Sequence, residues 1–252
     1  MRFSKLGLLF VLCLPLPLGA TTHVWVETDE GVWLASDTLI IHTSDDGIKT
    51  NRTACKVVLS PGRMIFNAGG FRNWEELQKD ESLLPNDEID VTTKKLLSIM
   101  LGNHKDYLLN NPGINPKGYS EFVWVIQVGK NGFKEARCQE TIDQTESECP
   151  RISSTIGVPY GIGKVVDFAK ARALQDESYR KQILANPKVE LIKLLDAEAL
   201  VQNGKTAPPY SVFLLHPDGT VSDYSDQHVC EIPKEVTVRN EHVSPRPNPN
   251  SK

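Results

Sequence analysis

Residues 20–37 read ATTHVWVETDEGVWLASD, and everything else in the chain is placed from this stretch. Two threonines stand directly behind Ala20. His23 to Thr28 and Val32 to Ser36 are short runs rich in β-branched and aromatic residues, and Asp29-Glu30-Gly31 between them is a turn signal, so a hairpin is expected here. It closes on Asp37, sixteen residues after Thr21. In front lie a basic pair, Arg2 and Lys5, an apolar run from Leu6 to Leu18, and the triplet Leu18-Gly19-Ala20. That pattern predicts a secretory signal peptide over 1–20, cut between Ala20 and Thr21. The run is too short and too proline-broken for a spanning helix, which needs about 20 apolar residues.

The 252 residues are 40% hydrophobic, enough for a substantial core. Loss of Arg2 and Lys5 with the leader takes the formal charge from −4 to about −6. A mildly acidic chain without basic clusters argues against nucleic-acid binding. Cys55, Cys138, Cys149 and Cys230 remain, an even number that favours disulfides in an exported protein. Cys138 with Cys149 is the preferred pair because the two are close in sequence; Cys55 with Cys230 would follow. No Cys-x-x-Cys or His-x-x-x-His spacing suggests a metal, and no cofactor is expected.

Strands are expected over Lys56–Leu59 and Met64–Phe66, separated by Pro61-Gly62, with Ala68-Gly69-Gly70 following. Asp45-Asp46-Gly47 marks a further turn. A helix is expected after Asn73 and a longer one after Asp90, carrying Leu96, Leu97, Met100 and Leu101. Phe122–Val128 and Phe133–Cys138 form a hairpin about Asn131-Gly132. A helix opens at Pro159 with Ile162, Val165, Val166, Ala169 and Ala173 as its buried stripe. Another has Asn186 as cap and Pro187 at its first position, and carries Leu191, Leu194, Leu195 and Ala199. Tyr210–Leu215 and Thr220–Tyr224 make the last hairpin. This order predicts an α+β fold with helices outside two stacked sheets. The domain is expected over 21–232, with a polar, disordered tail over 233–252. Asn51-Arg52-Thr53 matches a glycosylation sequon.

A cut before Thr21 would give one residue both a hydroxyl and a free α-amine, a nucleophile with its own base. A lysine beside the amine keeps it neutral by charge repulsion, an acid holds that lysine, and a glycine N–H can face the oxyanion. Thr21, Asp37, Lys56 and Gly69 occur in that order. TTHVWVETDEGVWLASD followed by KVVLSPGRMIFNAGG resembles the start of a mature proteasome β-subunit, including the simpler bacterial forms. The Thr-to-Asp spacing is the family's, and the resemblance is good over about residues 21–80 and looser over 120–224.

The resemblance implies the four-layer αββα sandwich of N-terminal nucleophile (Ntn) hydrolases, two antiparallel sheets flanked by helices. It also implies roles: Thr21 as nucleophile and base, Lys56 tuning the amine, Asp37 pairing with Lys56, Gly69 in the oxyanion hole. The stretch from Asp37 to Lys56 is about three residues longer than usual, and Lys49 is the rival lysine. The family's Gly-Ser-Gly-like turn before a later helix is matched to Ser154–Tyr160, with Thr155 or Ile156 at the serine's place. The family's Asp and Ser after its last helix have no clean match in NGKTAPPYS. The function implied is an exported threonine hydrolase cleaving peptide amides. Its alternatives are an Ntn amidase or acylase on a small amide, and an inactive binding or assembly protein. Peptide or small-amide substrates are expected, with no nucleic acid and no ATPase partner outside the cytoplasm. Homo-oligomers are common among subunits of this fold.

Overall fold

The computed structural model describes residues 21–43, 49–68, 89–110, 120–141, 150–202, 206–234 and 236–239. The opening hairpin is β1 (His23–Thr28) and β2 (Gly31–Asp37). Its strands are apolar on both faces because both faces are covered, so the period-two alternation of a half-exposed strand is missing. They sit in the middle of a 5-stranded sheet, with β10 (Pro159–Ile162) beyond β1, and β11 (Tyr210–Leu215) and β12 (Val221–Asp223) beyond β2.

The second 5-stranded sheet runs β5 (Val57–Ser60), β6 (Arg63–Ala68), β7 (Ser120–Gly129), β8 (Gly132–Thr141) and β9 (Arg151–Ile152). Here alternation sorts the faces. Val57, Leu59, Met64, Phe66, Trp124 and Ile126 pack into the core shared with the first sheet. Val58, Ile65, Val123, Val125, Ala136 and Cys138 pack with Ile89, Leu96, Leu97 and Leu101 of α1 (Ile89–Asn110). On the far side of the first sheet lie α2 (Lys164–Gln175), α3 (Glu177–Ala185) and α4 (Pro187–Val201). The molecule is therefore a four-layer αββα sandwich of two antiparallel sheets, the layer order of the Ntn hydrolases.

Several expectations need correction. Pro159 does not open a helix; it pairs opposite Val26 at the edge of the first sheet, and the helix starts at Lys164. Ile162 accordingly lies on a strand, while Val166, Ala169 and Ala173 are buried on α2. Between Ser154–Tyr160 and that helix stand Gly161 and Ile162, the end of β10, and Gly163 at the helix cap position. Helix α3 is an additional element, capped by the Asp176 carboxylate, which accepts from the Tyr179 N–H at 3.1 Å. Asn186 occupies the cap position of α4 but makes no side-chain cap bond, and Pro187 stands at the helix start. The β7–β8 loop is Lys130-Asn131, between paired Gly129 and Gly132, one position earlier than expected.

The extra length between Asp37 and Lys56 is a separate hairpin, β3 (Leu39–Thr43) with β4 (Lys49–Thr53). The Cys55–Cys230 disulfide is formed. Cys138 is also disulfide-bonded; its expected partner Cys149, the helix after Asn73 and Gly69 lie outside the described residues. Past the expected boundary at 232 the chain still packs: Val236 is buried, and Val238 runs beside Val221. Among the described residues no helix is long and apolar enough to cross a membrane.

Candidate active site

The site is built where β1 and β2 begin and end together. The ladder pairs His23 with Ser36 and extends one step further, the Asp37 N–H donating to the Thr22 carbonyl at 3.1 Å. The Asp37 side chain then turns back on the same residue, and its Oδ1 accepts the Thr22 N–H at 2.7 Å. Its Oδ2 meets Lys56 Nζ at 2.5 Å. Asp37 and Lys56 are both 0% exposed, and Thr21 is 2% exposed. A buried charge is tolerated only when paired and hydrogen-bonded, and both carboxylate oxygens of Asp37 meet that requirement.

Three elements therefore converge: the strand start with Thr21 and Thr22, the strand end with Asp37, and the residue before β5, Lys56. Of the two lysines, Lys56 is the one at Asp37; Lys49 pairs with Thr43 at the far end of the β3–β4 hairpin. Lys56 follows Cys55 directly, so the disulfide to Cys230 ties down the backbone next to it. The Asp37 charge reaches across to β11, where Tyr210 stands opposite it. Burial pushes the Tyr210 phenol well above its ordinary range, and its hydrogen bond to Asp196 at 2.8 Å and the charges of Asp196 and Asp37 push the same way.

A second group of side chains lies behind Thr22. Its hydroxyl is 2.8 Å from Thr206 Oγ1 and accepts from Gln202 Nε2 at 3.2 Å. Thr206 Oγ1 donates to Gln202 Oε1 at 3.2 Å. Each hydroxyl has one proton, so Thr22 donates to Thr206, Thr206 to Gln202, and Gln202 back to Thr22. Gln202 Nε2 also donates to Glu198 Oε1 at 2.8 Å. The Glu198 carboxylate in turn accepts the Lys164 N–H at 3.1 Å and the Val165 N–H at 2.7 Å, at the start of α2.

None of Glu198, Gln202 and Thr206 was expected from the sequence. A signal was available on α4: Leu191, Leu194 and Leu195 define a buried stripe, and Glu198 and Gln202 continue it at helical spacing. Polar residues on a core-facing stripe require partners. Among the described residues no group of three or more His, Cys, Asp or Glu side chains could hold a metal ion.

No family model matches the chain, and no curated protein matches it. The architecture agrees with the Ntn-hydrolase layer order.

Proposed function

We propose that the chain is an exported hydrolase of amide bonds, most simply a peptidase of the proteasome type, with Thr21 as its N-terminal nucleophile. The observation that carries this reading is the fully buried Asp37 carboxylate, bound at once to the Thr22 N–H and to the Lys56 ammonium, one residue from Thr21. A free α-amine ordinarily titrates near 7.7–8.0, so it can accept a proton at working pH. The Lys56 charge favours its neutral form.

In the first step the Thr21 hydroxyl gives its proton to the α-amine while Oγ1 attacks the amide carbonyl carbon. The oxyanion is met by backbone N–H, for which the resemblance supplies Gly69. The protonated amine then delivers its proton to the leaving nitrogen, the C–N bond breaks, and an ester on Thr21 remains for water to hydrolyse. Signal peptidase, by cutting after Ala20, would create the active group during export.

One observation favours a second reading, an inactive binding or assembly protein. Thr155 and Ile156, matched to the family's serine, are exposed beside the Glu27 end of β1, the opposite end of that strand from Thr21. The two readings part in one experiment. The exported protein is expected to begin at Thr21, to gain one adduct mass with a peptide boronate or vinyl sulfone, and to lose that labelling in Thr21→Ala. Any other first residue, or no labelling of a chain that does begin at Thr21, overturns the nucleophile. A panel of peptides against small acyl amides separates peptidase from amidase.

A further inference from the structure

Thr155 and Ile156, matched to the family's serine, lie at the Glu27 end of β1, away from Thr21, so support for the N-terminal residue comes from elsewhere. The Thr22–Thr206–Gln202 ring closes on itself with its hydroxyl protons assigned, and Gln202 is the member that connects it to the start of α2 through Glu198. Its second donor goes to Glu198, whose side chain is buried and anchored by two backbone N–H groups at the start of α2. The positive end of that helix favours the carboxylate. Gly163, at φ 144°, is needed for this approach: a Cβ there would lie 2.6 Å from Glu198 Oε2.

We infer that Gln202, oriented by Glu198, is a positioning residue that fixes the Thr21-Thr22 terminus, taking over the support that a serine before α2 would otherwise give. This deepens the threonine-hydrolase reading and rests on it. Gln202 touches no reacting atom. It holds the Thr22 hydroxyl while Asp37 holds the Thr22 N–H, so the residue next to the nucleophile is gripped from two sides. Displacements of about 1 Å in such a support can cost up to about a hundredfold in rate.

The test uses the mature exported protein with Gln202→Ala, Thr22→Val and Thr22→Ser. Inactivation by a peptide vinyl sulfone is resolved into a binding constant and a first-order modification constant. Hydrogen–deuterium exchange of the segment 21–28 and the melting temperature are measured alongside. Gln202→Ala and Thr22→Val are expected to slow modification about tenfold or more with binding unchanged, and Thr22→Ser to react like the wild type. Modification in Gln202→Ala and Thr22→Val within about twofold of the wild type would overturn the relay. If the wild type itself does not label, exchange decides. Faster exchange of 21–28 in both variants upholds the relay while the hydrolase reading falls; unchanged exchange overturns the relay as well.

Discussion

Asp37 does two things at the level of single atoms: it accepts a backbone N–H with one oxygen and neutralises a lysine with the other. Neither partner reaches water, so the cost of removing one is an uncompensated buried charge. Lys56→Ala is therefore expected to destabilise the fold by about 3–5 kcal/mol in urea unfolding. The double replacement Asp37→Leu, Lys56→Met removes both charges together and takes the carboxylate from the Thr22 N–H, a loss of about 1–3 kcal/mol. It should lose less than Lys56→Ala alone; strictly additive losses across the cycle would refute the pairing energetics. Asp37 and Lys56 could be picked out in the sequence because the chemistry asks for those residue types in that order. Gln202 could not be attached to Thr22 that way, since 180 positions separate them. Only the polar continuation of the α4 stripe hinted that Glu198 and Gln202 face inward.

Strand β10 shows how an element is decided by its neighbour. Pro159 favours a helix start, and the residues after Lys164 have helical spacing, so the sequence reads as one helix from Pro159. What local propensity lacks is the open edge of β1, which pairs with residues 159–162 instead. The pairing depends on Gly161: at φ 152° a Cβ there would come 2.0 Å from the His23 carbonyl oxygen. Gly161→Ala is expected to cost about 3 kcal/mol or more, or to prevent folding, because both the backbone conformation and the contact are forbidden to alanine. Gly102 is the control. It lies inside α1 with nothing within 4 Å of an added Cβ, so Gly102→Ala should stabilise by about 0.5–1 kcal/mol. Equal losses at the two sites, measured by thermal unfolding, would contradict the close approach of β10 to β1. The β3–β4 hairpin escaped the sequence for a different reason: KTNRT is too polar to read as a strand, so only its turn was visible.

Across the whole molecule, the layers were legible because both sheets carry their burial in the sequence, as continuous apolar runs in the first and alternation in the second. The ties between layers were less so. The Cys55–Cys230 bond closes a loop of 175 residues. A double Cys→Ser replacement should cost about 2–5 kcal/mol, read from urea midpoints under oxidising conditions. The other tie is polar. Glu135 on β8 stands opposite Ile126, on the face of the second sheet that meets the first. There the Ser154 hydroxyl bonds Glu27 of β1. Burial pushes the Glu135 carboxyl up to about 8; the Ser154 hydroxyl opposes this, and the Glu27 charge adds to it. The unfolded chain ionises this group near 4.5, whereas the folded chain keeps it protonated until about pH 8. Between those values the folded state binds the extra proton, so stability falls as pH rises, by about 1.4 kcal/mol per unit and roughly 4–5 kcal/mol in all. Asp167, raised mainly by burial, adds in the same direction at the acid end. Glu135→Gln keeps the shape and removes the proton. Urea unfolding at several values from pH 5 to pH 9 should then show the wild type weakening steadily while Glu135→Gln stays nearly flat. Parallel slopes in the two proteins would mean that Glu135 is already ionised between the sheets across this range.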